Sequence, residues 1–253
     1  MKKKVGIIGY GTIGKYIFEK LSRDGVEFAF VFDRTAVADK KKGTIFTDST
    51  EEIVQKCAAG VDLVIETATS QAVVELAPAI LRFADMVVFS ATAFADQEFL
   101  NRIHQICQTS QHKLYIPHGA ILGLDGIVDG KDVLQEVAVT TTKRPENLGR
   151  TDSCRTILYE GPTRNVCRLY PRNVNVHAAI ALAGLGFDTT RSRIISDPDA
   201  PGNTHSIEIK ARGCTFKIEV VSEPVSGVTG AYTPVSAYSS IRRILFNQGL
   251  VII

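Results

Sequence analysis

The stretch Val5–Gly14, VGIIGYGTIG, decides the fold. The apolar run Lys4–Ile8 reads as a buried strand, and three glycines follow it with the spacing G-x-G-x-x-G before the helical period of Ile13–Leu21 begins. Each glycine has its own task in such a turn. Gly9 permits the tight bend, Gly11 removes a Cβ where a pyrophosphate must approach, and Gly14 lets helix and strand pack closely. The opening helix, with Thr12 just before it and Ile13 in its first turn, offers N–H groups and a positive dipole end to phosphates. Asp33 ends the next predicted strand, Phe28–Phe32, about 20 residues beyond the last glycine, where a carboxylate accepts hydrogen bonds from ribose hydroxyls. That placement favours NAD. Arg34, directly after it, is suited to pair with a 2′-phosphate or stack on adenine, or is a plain surface arginine, so NAD and NADP both remain open.

Composition narrows the partners. The chain has 253 residues, is 45% hydrophobic and carries a formal charge of +2. That is ample for one large core or two modest ones, and it gives no basic footprint for nucleic acid or an anionic membrane. A small-molecule partner is expected. Lys2-Lys3-Lys4 and Lys40-Lys41-Lys42 are too short for a targeting signal and read as solvated loops. Glycines interrupt the apolar stretch after the first lysines, no small-residue cleavage site follows, and no run approaches the ~18 apolar residues of a membrane span. Five scattered cysteines without C-x-x-C spacing predict reduced thiols in a cytoplasmic protein and no zinc site.

Beyond the glycine motif, strand and helix alternate. A helix is predicted near Thr50–Lys56, then strand Leu63–Ile65, helix Gln71–Phe83, strand Met86–Phe89, helix Gln97–Gln108 and strand Leu114–Ile116. This is the pattern of a Rossmann-type, doubly wound parallel sheet, a dinucleotide-binding domain over residues 1–116. After Pro117 the segments Leu134–Thr141, Arg155–Tyr159, Arg191–Ile195, His205–Lys210 and Cys214–Val221 alternate like strands, interrupted only by helices Arg164–Tyr170 and Val174–Leu182. They predict a second α+β domain with a mainly antiparallel sheet over residues 117–229. A last helix, Pro234–Asn247 within 230–253, fits on either domain.

Several segments carry a resemblance that runs from end to end. They are GYGTIG at 9–14, SATAFAD at 90–96, HGAILGLDGI at 118–127, the neighbourhood of Lys143-Arg144-Pro145, LYPRNVNVHAAIALAGLGFDTTRSRIISDP at 169–198, and Asn203-Thr204-His205. The chain resembles the L-aspartate dehydrogenase family. The resemblance implies that His205 is the catalytic residue, and imidazole, titrating nearest neutrality, suits proton transfer in amine oxidation. A surface or strand-end histidine is the plainer alternative. It also implies nicotinamide-side contacts at Ala120 and at one asparagine of Asn173-Val174-Asn175, with Asn175 favoured; helix capping is the alternative for either.

A dicarboxylate substrate calls for cations near the reacting carbon, and Lys143, Arg144 and Arg172 are the candidates by position, each otherwise a solvated charge. Asn173 and His118 complete the candidate substrate contacts. The family usually has serine at the position of His118, and residues 223–234 lack its usual Pro-Glu-Asn-Pro-Lys-Thr-Ser run. Asp125 orients a positive group or caps a helix, and no chemistry is assigned to it. The resemblance implies NAD(P)-dependent oxidation of L-aspartate through iminosuccinate, or the reverse amination, in a homodimer joined through the second domain's sheet, with a link to pyridine nucleotide biosynthesis. The rival readings are a dehydrogenase or imine reductase for another amino or oxo acid, and a nucleotide sensor that has lost catalysis.

Overall fold

The computed structural model describes residues 2–34, 46–222, 224–226 and 229–246, so Lys40-Lys41-Lys42, Asn247, Glu223, Gly227 and Val228 lie outside the described residues. The chain forms two compact units, one of residues up to Pro117 together with those from Ala237 on, the other His118–Ser236.

The first unit runs β1 (Lys4–Ile8), α1 (Thr12–Arg23), β2 (Glu27–Phe32), β3 (Phe46–Thr47), α2 (Thr50–Ala58), β4 (Leu63–Glu66), α3 (Ser70–Ile80), β5 (Asp85–Val88), α4 (Gln97–Ser110) and β6 (Leu114–Tyr115). Its six-stranded sheet has the order β3-β2-β1-β4-β5-β6, all pairs parallel. This is the doubly wound order, whose reversal between β1 and β4 opens a ligand crevice at the carboxyl ends of the strands. The inner strands read as unbroken apolar runs because both faces are covered: Val5, Ile7 and Ile8 of β1 and Leu63, Val64 and Ile65 of β4 are at most 1% exposed. In α1, Gly14, Ile17, Phe18 and Leu21 form the buried stripe at helical spacing. The pair Phe46–Thr47 was not expected from sequence; two residues carry too little periodicity to register.

The second unit contains α5 (Leu124–Asp129), β7 (Leu134–Lys143), β8 (Thr156–Pro162), α6 (Thr163–Leu169), α7 (Asn175–Ala183), β9 (Arg191–Ser196), β10 (Asn203–Ala211), β11 (Cys214–Ser222) and the short pair β12 (Pro224–Ser226) and β13 (Thr229–Gly230). Its five-stranded sheet has the order β11-β10-β7-β9-β8 and is mixed, antiparallel everywhere except at β7 and β9. The helix α5, which precedes the first of these strands, was not expected, because glycines at 123 and 126 hide a short helix from a periodicity reading. The last helix, α8 (Tyr232–Phe246), sends Ala237, Ile241 and Leu245 into the first unit's core beside Val5, Ile7 and Ile17.

Alternation places the second unit's polar groups. Val137, Val139, Thr141 and Lys143 of β7 are buried, as are Asn203, His205, Ile207, Ile209 and Ala211 of β10. The register sets Ile209 against Val137, Ile207 against Val139 and His205 against Thr141. One face of the sheet is therefore apolar along most of its length and polar at one end.

Candidate active site

The first unit builds a cradle from backbone. Gly9 has φ +90, a left-handed conformation that only glycine adopts cheaply, and a Cβ there would meet Ala68 at 2.8 Å. A Cβ on Gly14 would lie 2.1 Å from the carbonyl oxygen of Gly9, so β1 and α1 approach as closely as they do only without one. Among the described residues, a Cβ on Gly11 would meet nothing within 4 Å. Gly11 is also the N-cap of α1, which has no side-chain cap and no acid in its first turn, whereas Ser49, Thr69 and Asp96 cap α2, α3 and α4. The end of α1 that carries Thr12 and Ile13 thus has no acid of its own at its positive dipole end and, among the described residues, space in front of Gly11, which fits a pyrophosphate.

Asp33 stands beside this turn, its Oδ2 accepting from the backbone N–H of Tyr10 at 2.8 Å. Arg34 is exposed and pairs with Glu75 of α3. Thr67 props the turn from the other side, donating from its hydroxyl to the Gly9 carbonyl at 2.9 Å.

Sequence reading missed Glu66, fully buried at the end of β4. Its carboxylate accepts from the N–H groups of Ala68 (2.7 Å), Phe89 (3.2 Å) and Ser90 (3.0 Å) and from the Ser90 hydroxyl (2.8 Å), tying the ends of β4 and β5 together. Burial raises its pKa to about 6 against the opposing pull of those four bonds. The only sequence signal is an acid closing an apolar strand, LVIE.

The polar end of the second unit's sheet is a connected cluster. Thr141 Oγ1 lies 2.9 Å from His205 Nδ1 and 2.7 Å from His177 Nε2. Burial first, and then the positive charge of Lys143, lower the pKa of His205 to about 4; burial, with His205 and Lys143 adding to it, lowers that of His177 to about 3. Both rings are therefore neutral at neutral pH. Lys143 is itself only 4% exposed, its pKa pulled down to about 8 by burial, and its Nζ donates to Asn173 Oδ1 at 3.0 Å. Lys143, Asn173 and His205 thus belong to one neighbourhood with Thr141 and His177, which sequence reading did not single out. The strict alternation of β7 and a histidine two positions after Asn175 were the available signals.

The remaining candidates separate. Arg144 donates from Nε to the carbonyl of Ala200 at 2.8 Å, a tie between loops. Arg172 is exposed. His118 Nε2 sits 3.4 Å from Asp125 Oδ1 at the start of α5. Ala120 lies in the turn closed by the bond from Ile121 N–H to the His118 carbonyl. Asn175 opens α7 and is half-buried. The capping alternative is corrected for both asparagines: the N-cap of α7 is Val174, with no side-chain cap bond. Among the described residues no group of His, Cys, Asp and Glu is arranged to hold a metal, no helix is long and apolar enough to cross a membrane, and all five cysteines are free thiols.

Residues 127–244 match the model for the C-terminal domain of aspartate dehydrogenase. The chain is 33% identical over 251 residues to the L-aspartate dehydrogenase of Archaeoglobus fulgidus, covering 98% of this chain and 99% of that one. The chain belongs to the aspartate dehydrogenase family. The family's Methanopyrus kandleri member is 32% identical over 255 residues, covering 96% of this chain and 97% of its own. The crystal structure of aspartate dehydrogenase from Thermotoga maritima superposes with a TM-score of 0.80 at 26% identity over the whole of both chains. Residues 9–117 match the NAD binding domain of homoserine dehydrogenase, so the glycine turn and Asp33 lie within an NAD-binding fold.

Proposed function

We propose that the protein is an NAD(P)-dependent amino-acid dehydrogenase that oxidatively deaminates L-aspartate to oxaloacetate and ammonia through iminosuccinate, and runs the reverse reductive amination. The observation that carries this reading is a neutral, buried imidazole, His205, beside a buried lysine cation in a chain of this family.

Gly9, Gly11, Thr12, Ile13 and Gly14 hold the cofactor's pyrophosphate, and Asp33 takes the adenosine ribose hydroxyls. Arg34, paired with Glu75 through one guanidinium nitrogen, is the group that would meet a 2′-phosphate of NADP. A bound nicotinamide would supply the hydride acceptor for oxidation of the substrate's Cα–N bond to an imine. Ala120 and Asn175 are assigned to its nicotinamide side.

His205 does the proton work. Being uncharged, it takes a proton from a water as the water oxygen bonds to the imine carbon and returns it to the nitrogen; the carbinolamine's hydroxyl proton then passes to the nitrogen as the C–N bond breaks, leaving the ketone and ammonia. Lys143, steadied by Asn173, pairs with a substrate carboxylate, which compensates a cation that burial otherwise penalises. His118 and Arg172 are the outer candidates for the second carboxylate. His118, paired with Asp125 where the family usually has serine, and the altered 223–234 sequence are the features that favour a different amino or oxo acid.

The protein is further assigned to the cytoplasm, as a homodimer, with iminosuccinate feeding pyridine nucleotide biosynthesis; a strain lacking it that grows normally without supplied pyridine nucleotide precursors would remove the pathway role. The activity is tested by following reduced-nicotinamide absorbance with L-aspartate and a panel of other L-amino acids, each with NAD and with NADP. Turnover highest on L-aspartate supports the assignment. Turnover highest on another amino acid transfers the mechanism to that substrate, and cofactor binding without turnover on any amine makes the protein a sensor.

A further inference from the structure

His205 does not end the polar cluster; it begins a chain that crosses the domain's interior. From Thr141 the contacts run to His177, whose Nδ1 lies 2.9 Å from Ser192 Oγ, then to Thr163 Oγ1 at 2.7 Å, and finally to the carbonyl oxygen of Thr190 at 3.0 Å. Five elements contribute: β10 gives His205, β7 Thr141, α7 His177, β9 Ser192 and α6 Thr163. None of the five side chains is more than 5% exposed.

The direction of this chain follows from counting protons. A carbonyl oxygen only accepts, so the Thr163 hydroxyl must spend its single proton on Thr190. Ser192 must then donate to Thr163, which leaves its oxygen to accept from His177 Nδ1–H. His177 is neutral and has one ring proton, so its Nε2 accepts, and Thr141 donates to it. The Thr141 oxygen is left to accept from His205, and the atom it faces is Nδ1. Reversing any link sets two lone pairs against each other at hydrogen-bond distance in a buried site, which is costly.

We propose that Thr141, His177, Ser192 and Thr163 are positioning residues, a one-way hydrogen-bond chain anchored on the Thr190 carbonyl that holds His205 as its Nδ1–H tautomer and leaves the Nε2 lone pair as the base. The chain rests on the assignment of His205 to proton transfer and supplies what that assignment lacks, the identity of the working nitrogen. In a histidine the tautomer is set by the bond the other nitrogen makes, and a wrong tautomer leaves geometry intact while removing the base. Threonine suits the link to two imidazoles because one hydroxyl can donate to one ring and accept from the other.

The test reads the proton directly, in substrate-free full-length protein labelled with ¹⁵N in histidine, by two-bond nitrogen–proton correlation. His205 is assigned by its loss in His205→Asn. The expected wild-type result is Nδ1–H on both His205 and His177; Nε2–H on His205 overturns the proposal without any variant needing to fold. Thr141→Val should release the tautomer and lower kcat on the order of 10²-fold with KM little changed, and Thr141→Ser should restore both. Ser192→Ala, which does not touch His205, should give it a mixture of tautomers and a several-fold lower kcat. An unchanged tautomer and rate in Ser192→Ala would overturn the chain. Because the tautomer is measured without substrate, a protein inactive on L-aspartate yet Nδ1–H at His205 fails the substrate assignment alone, and an active one with Nε2–H fails the chain alone.

Discussion

At the scale of single residues, the glycine turn separates space needed by the fold from space needed by the ligand. Gly14→Ala sets a Cβ 2.1 Å from a backbone carbonyl oxygen, so β1 and α1 must move apart. The expected cost is about 2 kcal/mol or more of stability, at the high end of overpacking, with cofactor binding lost. Gly11→Ala meets nothing within 4 Å of the new atom among the described residues, so the protein should keep its stability to within about 1 kcal/mol while NAD affinity falls roughly 10-fold or more. Urea unfolding and NAD titration check both. Equal loss of stability in the two variants, or full NAD affinity in Gly11→Ala, would contradict this division. The three glycines and Asp33 were legible because a backbone that must bend and approach a phosphate leaves a fixed spacing in the sequence. Glu66 was not, since its four donors come from residues 68, 89 and 90 and no local pattern announces them.

At the scale of elements, β7, β10 and α7 bury two imidazoles, which makes stability depend on acid. Unfolded histidine titrates near 6.5, whereas His205 and His177 in the folded protein titrate near 4 and 3. Between 6.5 and 4 the unfolded chain takes up protons that the folded protein refuses, so stability rises with pH across that window and is lost as pH falls through it. Glu66 acts in the opposite sense, its folded value of about 6 lying above the ordinary 4.5, so folding binds a proton there as pH falls. Comparison with His177→Gln removes the shared contribution. The variant should be less stable at neutral pH, through lost hydrogen bonds, and its unfolding free energy should fall less steeply between 6.5 and 4. Parallel pH profiles for the two proteins would show that His177 is not buried in neutral form. The strands themselves were readable from alternation, and His205 was reached through its segment's resemblance. Its partners were not, because the register that sets Thr141 opposite His205 and the packing of α7 over them are tertiary facts.

At the scale of the whole molecule, each unit carries a face suited to one task. The inward face of the second sheet holds the polar cluster, while its outer face leaves Ile157 56% and Val221 49% exposed among threonines and paired charges. The homodimer proposed above would bury that face, and light scattering at micromolar concentration should then give twice the chain mass; the mass of one chain would contradict the homodimer. From Ala237 on, α8 belongs to the first unit and packs Ala237, Ile241 and Leu245 into its core, an address that amphipathic spacing, which foretold only a helix, did not give. The central claim, that this chain removes hydride from Cα of L-aspartate, is tested most directly with L-aspartate deuterated at Cα. The account predicts that the deuterium appears in the reduced cofactor and that single-turnover reduction is slowed by the heavier isotope. Reduced cofactor free of deuterium, formed while the labelled aspartate is consumed, would contradict it.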